Sequence, residues 1–359
     1  MATDIASTKI QKLIATQINL PSAPTVAVQI LNNIQNKESC LQDLEKIISA
    51  DPALTGKMLR VANSAFYSLP NKVSNVSRAF AVLGTNVITN IALSFVIANE
   101  LRGEQQMHFN FSYFWRRSVT TAVAAKLVTE LLKIRDDDIF VTALLQDIGI
   151  LTMYLSLGRD YAVFLKSSIE HPESGVIKAE QKLFEFDHQH LGAILLKSWQ
   201  LPESITVPLR YHHEPTKAPD KYSTVATILY IANLLASIYN GRDCSQKAQL
   251  LQEKMGNLFG ISPGKTRDLL DEVAEKTVEM LQIFELDPGE MKPYSQMLQE
   301  ANDELGRLNM SYEQLVLELK ESKEKSERFA NKLRQANSQL EQLAFLDGLT
   351  GLYNHRYFQ

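Results

Sequence analysis

Helical periodicity is the feature that most limits the folds open to this chain. Across the first three-quarters of its 359 residues, apolar side chains return every three to four positions, the spacing of one face of an α-helix. The segment DPALTGKMLRVANSA carries both signals of a helix start, with Asp51 as N-cap and Pro52 in the first turn. No segment shows the period-two alternation of a half-buried strand bounded by hairpin turns. The sequence therefore predicts an all-α fold, with a multi-helix domain over residues 1–285.

The same pattern predicts individual helices at about 24–36, 40–49, 74–83, 85–101, 111–133, 136–156, 174–184, 188–199, 221–240 and 265–284. The uncharged stretch 79–99 is long enough to cross a membrane. However, Gly84 interrupts it, and Asn86, Asn90 and Asn99 would lie in hydrocarbon. We interpret it as two buried helices that meet at Gly84, and we expect no membrane partner.

Composition excludes several other classes. The net charge of −4 gives no basic field that would attract nucleic acid, so we expect no nucleic-acid partner. Cys40 and Cys244 stand alone, without the spacing of a zinc site or a disulfide framework, as is typical of a reducing compartment. The N-terminal segment lacks the layout of a signal peptide. The expected location is the cytoplasm.

A second region begins after residue 285. Pro288, Gly289 and Pro293 predict a linker over 286–296. An unbroken heptad then covers 297–345, and its apolar a and d positions include Leu298, Leu305, Leu308, Tyr312, Leu315, Leu319, Phe329, Leu333, Leu340 and Leu343. Such a seam predicts a coiled coil, and therefore a homodimer. The alternative is one long helix folded back on the globular domain.

The segment LLQDIGI (144–150) resembles the LLHDIGK motif of HD phosphohydrolases, in which adjacent His and Asp bind one metal ion. That resemblance implies metal ligands at the positions of Arg117, Gln146, Asp147 and Asn233, of which only Asp147 retains a ligating side chain. We therefore expect no metal, no cofactor and no catalytic residue. One hypothesis is that an internal ion pair between Arg117 and Asp147 replaces the metal and gives the former metal site a structural role.

Two pairs of histidines remain: His188 and His190 in FDHQHL, and His212 and His213 in LRYHHEP. They could bind a metal, line a pocket that has lost its metal, or serve structural roles. The structural roles are plausible because Asp187 is a candidate N-cap and an imidazole is favourable near a helix C-terminus. The candidate pocket comprises Arg117, Gln146, Asp147, His188, His212, His213 and Asn233.

Further motifs resemble the HDOD family of helical signalling domains over about residues 10–285: LPSAPTVAVQILNNI, IISADPALTGKMLRVANSAFYS, AFAVLGTNVITNIALS, DHQHLGAILLKSWQLPESI and RYHHEP. The last segment, 346–359, resembles the opening of GGDEF diguanylate cyclase domains, with matches at Asp347, Thr350, Asn354 and Arg356. The metal-binding aspartates of that family lie beyond this opening, so GTP and Mg would concern only the cyclase domain absent from this sequence.

These resemblances imply a non-catalytic module that senses a small molecule or a protein and regulates, through a dimeric coiled coil, a C-terminal cyclase making cyclic di-GMP. The rival interpretation is a metal-dependent phosphohydrolase with a rearranged site built from Asp147, His188, His212 and His213. A third is a scaffold that binds partner proteins without sensing a signal.

Overall fold

The structure, a computed structural model, describes residues 21–35, 41–67, 69–101, 108–170, 175–240, 243–348 and 350–355. Cys40 and Arg356, named above, lie outside these residues. Within them the chain is helical and forms no strand; Leu346 and Tyr353 make an isolated antiparallel bridge. The predicted all-α fold is confirmed.

The described residues form sixteen α-helices. In chain order they are α1 Thr25–Gln35, α2 Leu41–Ser49, α3 Pro52–Ala62, α4 Val76–Leu83, α5 Thr85–Glu100, α6 Phe111–Leu131, α7 Ile139–Leu145, α8 Ile148–Leu157, α9 Arg159–Glu170, α10 Val176–Phe184, α11 His188–Ser198, α12 Glu203–Arg210, α13 Asp220–Tyr239, α14 Cys244–Phe259, α15 Pro263–Ile283 and α16 Tyr294–Phe345.

Aspartate side chains cap two of the helices as the sequence indicates. The Asp51 carboxylate accepts hydrogen bonds from the backbone N–H groups of Ala53 and Leu54, and Pro52 occupies the first turn of α3. Asp187 caps α11 by accepting from the backbone N–H of His190. Each cap satisfies donors that the first turn of a helix leaves unpaired.

The stretch 79–99 forms the end of α4 and most of α5. Gly84 separates the two helices with a φ of +87°, a left-handed conformation that glycine adopts without steric cost. Two other stretches, 139–157 and 220–239, are long and apolar enough to cross a membrane by length and composition alone. The first is largely buried inside the protein, as core helices are, so this is weak evidence for a span.

Helix α6 lies at the centre of the core and packs against α7, α13 and α15. Its buried residues include the fully enclosed Trp115 and a run of small side chains, Ala122, Ala124 and Ala125. Small residues allow neighbouring helices to approach closely. Elsewhere in the domain, α8 packs against α11, and α11 packs against α12.

The chain divides into two compact units, residues 1–294 and 295–359. The second is dominated by α16, a single helix of 52 residues. Its heptad positions are exposed in the single chain; Leu315 and Leu319, for example, have 63% and 70% of their surface accessible. Beyond α16, the Asp347 carboxylate accepts hydrogen bonds from the backbone N–H and hydroxyl of Thr350, and the Asn354 amide donates to the carbonyl of Ala344.

Candidate metal centre

Two glycines bring the site's helices together. A Cβ on Gly149 of α8 would lie 1.9 Å from the backbone oxygen of His188, and one on Gly192 of α11 would lie 3.2 Å from the backbone nitrogen of Gly149. The two backbones are therefore in direct contact. This approach places Asp147, just before α8, beside His188, the first residue of α11.

Asp147 is buried and its two carboxylate oxygens face different partners. Oδ1 lies 3.2 Å from His212 Nε2 and 3.7 Å from His188 Nε2, while Oδ2 lies 3.7 Å from Arg117 Nε. Burial alone would raise the pKa of Asp147, but the neighbouring His212 imidazole and Arg117 guanidinium hold that pKa well below its usual range. The carboxylate is therefore ionised.

His188 is oriented by a carboxylate that the sequence did not single out. Glu180 of α10 is completely buried, and its Oε2 accepts from the His188 backbone N–H at 3.0 Å and contacts His188 Nδ1 at 2.8 Å. The other oxygen, Oε1, accepts from the Tyr161 hydroxyl at 2.6 Å. With Nδ1 held by Glu180, Nε2 is directed toward Asp147. Burial would lower the pKa of His188, but Glu180 and then Asp147 raise it to about 9, so a metal would displace a proton from this ring.

His212 is held in an equivalent way by the backbone. It lies two residues beyond the end of α12, and its Nδ1 is 2.7 Å from the carbonyl oxygen of Leu209. The Nε2 atoms of His188 and His212 are both buried and close to Asp147 Oδ1, and neither makes a hydrogen bond of good geometry to any described residue. Unpaired buried nitrogens of this kind are unfavourable unless a ligand completes them.

His213 completes the group. Its backbone N–H donates to Gln189 Oε1 at 2.9 Å, and its ring lies 4.2 Å from that of His212, centre to centre. Burial, together with electrostatic repulsion from the neighbouring His212 and His188, holds the pKa of His213 well below its usual value, so this ring is neutral at pH 7. A neutral imidazole is the form that ligates metals.

One ligand atom from each of Asp147, His188, His212 and His213 lies within 4.8 Å of every other. Three imidazoles and one carboxylate form a donor set that suits Zn, Fe or Mn. Both buried histidines have their second nitrogen on a carboxylate or carbonyl, as metal-ligating histidines usually do. The group therefore fits a metal ion.

The expectation that this chain has no metal, no cofactor and no catalytic role is consequently wrong. It rested on testing the family positions one at a time along the sequence, where only Asp147 qualified. In the fold, His188 at the start of α11 and His212 and His213 after α12 lie beside Asp147, where they could serve as ligands in place of the lost ones. Since those histidines meet Asp147 only in three dimensions, the substitution could not be read from the helix containing LLQDIGI.

The remaining predicted pocket residues have distinct surroundings. Arg117 also donates through Nη2 to Asn233 Oδ1, so two of the three substituted family positions contact each other. Gln146 is buried and its amide has no hydrogen-bond partner among the described residues. Arg117 does not occupy the histidine side of the site, because it faces Oδ2 of Asp147 while the histidines face Oδ1. Its charge is thus compatible with a metal on the other side of the carboxylate.

A cavity of about 390 Å³ adjoins the cluster. Asp147, His188, His213 and Arg117 line one part of it, and the rest is mainly apolar, with Phe109, Tyr113, Phe114, Ile150, Leu165 and Val176. Its volume is within the range of about 300–1,000 Å³ that is usual for small-molecule sites. A ligand in this cavity would reach the candidate metal centre directly.

The chain belongs to the HDOD family: residues 20–215 match the HDOD domain. A curated relative from Treponema pallidum (strain Nichols), called an uncharacterized protein, is 24% identical over 239 residues, which are 66% of this chain and 46% of the relative. The chain thus spans about half the length of that relative.

Solved structures share the fold. An HDOD domain protein of unknown function from Geobacter sulfurreducens superposes with a TM-score of 0.63 at 20% identity, over 78% of this chain and 99% of that one. A protein from Shewanella amazonensis SB2B, provisionally named a phosphohydrolase, superposes with a TM-score of 0.60 at 21% identity, over 78% of this chain and 98% of that one. A second protein from that organism, provisionally named a metal-dependent phosphohydrolase, superposes with a TM-score of 0.57 at 19% identity, over 79% of this chain and 98% of that one. At these identities the similarity establishes the fold.

Proposed function

We propose that this protein is a metal-dependent phosphohydrolase whose rearranged site uses Asp147, His188, His212 and His213. The observation that carries the proposal is the convergence of two buried Nε2 atoms, those of His188 and His212, on one carboxylate oxygen of Asp147. Two Shewanella amazonensis proteins of the same fold carry provisional phosphohydrolase names, which is consistent with this chemistry.

Each residue has a role that follows from its position. Asp147 supplies the anionic ligand, and His188, His212 and His213 supply nitrogen ligands. Glu180 and the Leu209 carbonyl orient the rings of His188 and His212, and Arg117 places a fixed positive charge beside the cavity. A bound divalent metal would polarise a phosphoryl oxygen and activate water for attack. Apolar side chains keep bulk water from much of the cavity wall.

Metal analysis of the full chain, purified without chelators and supplemented in turn with Mn, Fe and Zn, tests the proposal. We expect stoichiometric metal and chelator-sensitive release of phosphate from a phosphate ester. His212→Ala should lower metal content and activity together, whereas His190→Ala should leave both unchanged. His190 is the matched control, because it lies on α11 but contacts Asp187 and Arg210 instead of the cluster. Absence of metal, or equal effects of the two substitutions, would contradict the proposal.

We also propose that α16 forms a dimeric coiled coil that transmits the state of the helical domain to a cyclase of the GGDEF type. The supporting observation is the row of exposed apolar a and d residues along a largely polar helix. One chain alone leaves this seam in water, and a second copy would cover it. A solved structure from Marinobacter aquaeolei VT8, provisionally named a signal transduction protein, shares the HDOD fold with a TM-score of 0.58 at 17% identity, over 78% of this chain and 65% of that one.

Removal of residues 297–345 tests this second proposal. Light scattering should give twice the chain mass for the intact protein and a single chain mass for the shortened one. A dimer that survives the deletion would place the association surface elsewhere.

A further inference from the structure

We propose that the cavity beside the metal centre binds an organic phosphate with an apolar or aromatic body, and that Arg117 binds its anionic group. The proposal rests on the proposed function and names the substrate class of the same site. It follows from a division of the cavity wall into a charged part and an apolar part.

The charged part is built to receive an anion. Arg117 lines the cavity with 28% of its side chain accessible; its buried Nε faces Asp147 Oδ2 at 3.7 Å and makes no hydrogen bond to a described residue. Asn233 holds the Nη2 end of the guanidinium, so the side chain is fixed in place with donor capacity remaining. Lys166, an exposed residue of α9, adds a second positive charge to the lining. Arginine in this setting favours phosphate, because its planar group presents several donors at once.

The apolar part is larger and includes aromatic side chains. Phe109 stacks on Tyr154 with ring centres 4.5 Å apart and planes 20° from parallel, which holds its ring in a defined orientation. Phe114, Ile150, Leu165 and Val176 continue the wall. Inorganic phosphate would leave this apolar surface in contact with water, and an uncharged apolar molecule would leave the remaining donors of Arg117 and the charge of Lys166 without an anionic partner in the cavity. A ligand with both parts satisfies both parts of the wall.

Binding of non-hydrolysable phosphonates to the Mn²⁺-supplemented full chain tests the proposal by calorimetry, independently of turnover. Phenylphosphonate and methylphosphonate carry the same anionic group on bodies of different size. We expect phenylphosphonate to bind at least ten-fold more tightly, and we expect phenol and benzoate to bind more weakly than phenylphosphonate.

Two substitutions locate the two parts of the ligand. Val176→Trp, which fills the cavity, should remove the preference for phenylphosphonate, whereas Val163→Trp on an exposed position of α9 outside the lining should retain it. Arg117→Gln should weaken both phosphonates about ten-fold, and Arg117→Lys should recover part of the loss. Unfolding temperatures of all four variants establish that each is folded.

Equal affinity for the two phosphonates, equal binding of benzoate, or no effect of Val176→Trp would overturn the inference. Each of these results would leave the metal site and hydrolysis standing. Conversely, if the chain takes up no metal, the proposed function fails, while phenylphosphonate binding that depends on Arg117 and is blocked by Val176→Trp would still support the cavity as a phosphate site.

Discussion

At the scale of single residues, the candidate metal centre depends on groups that are not themselves candidate metal ligands. Glu180 is the clearest case, since one buried carboxylate holds the Tyr161 hydroxyl and both the backbone and the ring of His188. A histidine whose Nδ1 is fixed in this way presents Nε2 in one orientation. Such partners commonly account for a factor of about 10–100 in metal affinity.

We therefore expect Glu180→Gln to weaken metal binding by about 10–100-fold, because the amide can no longer act as the charged acceptor for His188 Nδ1. Competition with a fluorescent chelator measures the affinity. The control is Glu272→Gln, which alters an exposed glutamate paired with Lys276 on α15. Circular dichroism on both variants separates misfolding from loss of affinity. An unchanged affinity in folded Glu180→Gln protein would show that Glu180 does not orient the ligand.

At the scale of helices, the site requires the close contact between α8 and α11. The sequence predicted one helix over 136–156, but the structure has α7 and α8, separated at Gln146 and Asp147. That break sets Asp147 at the start of α8 instead of in the middle of a helix. Helices α9, α12 and α14 are further helices of the structure that the sequence pattern did not predict.

Gly149→Ala should destabilise the protein by at least about 1–3 kcal/mol, the usual cost of forcing extra volume into a packed interior, and should also weaken metal binding. The added Cβ would overlap the His188 carbonyl and push α8 from α11. Denaturant unfolding provides the measurement.

Gly56→Ala is the matched control for that substitution. Gly56 lies inside α3 and a Cβ there would meet no atom within 4 Å. Alanine should therefore stabilise the protein by about 0.5–1 kcal/mol through its higher helix propensity. Destabilisation of the same size at both positions would contradict the packing argument at Gly149.

At the scale of the whole molecule, the two units are stabilised differently. The first unit buries its apolar residues within one chain, whereas α16 leaves its apolar seam exposed. The turn after α16 uses Asp347, Thr350 and Asn354, and Asn354 donates to carbonyls near the helix end. These polar residues thus have a local role in ending the helix.

Leu315→Lys should shift the proposed dimer toward single chains, because it places a charge at a d position of the seam. Leu317→Lys should not, since Leu317 lies at position f, on the opposite face of the helix. The two leucines are equally exposed in the single chain, at 63% and 64%, so the pair controls for the loss of surface leucine. Sedimentation over a range of concentrations distinguishes them. An equal effect would argue against the heptad seam as the interface.

The sequence by itself determined the helical class, the caps at Asp51 and Asp187, the interruption at Gly84 and the family, because each depends on residues close together along the chain. It also located Asp147 and the histidines. Only the tertiary structure decided that they form one cluster, since α8, α11 and the segment after α12 meet through glycine contacts and a buried glutamate that no local pattern reveals. Metal ligation depends on distances between atoms from separate helices, and those distances exist only once the chain has folded.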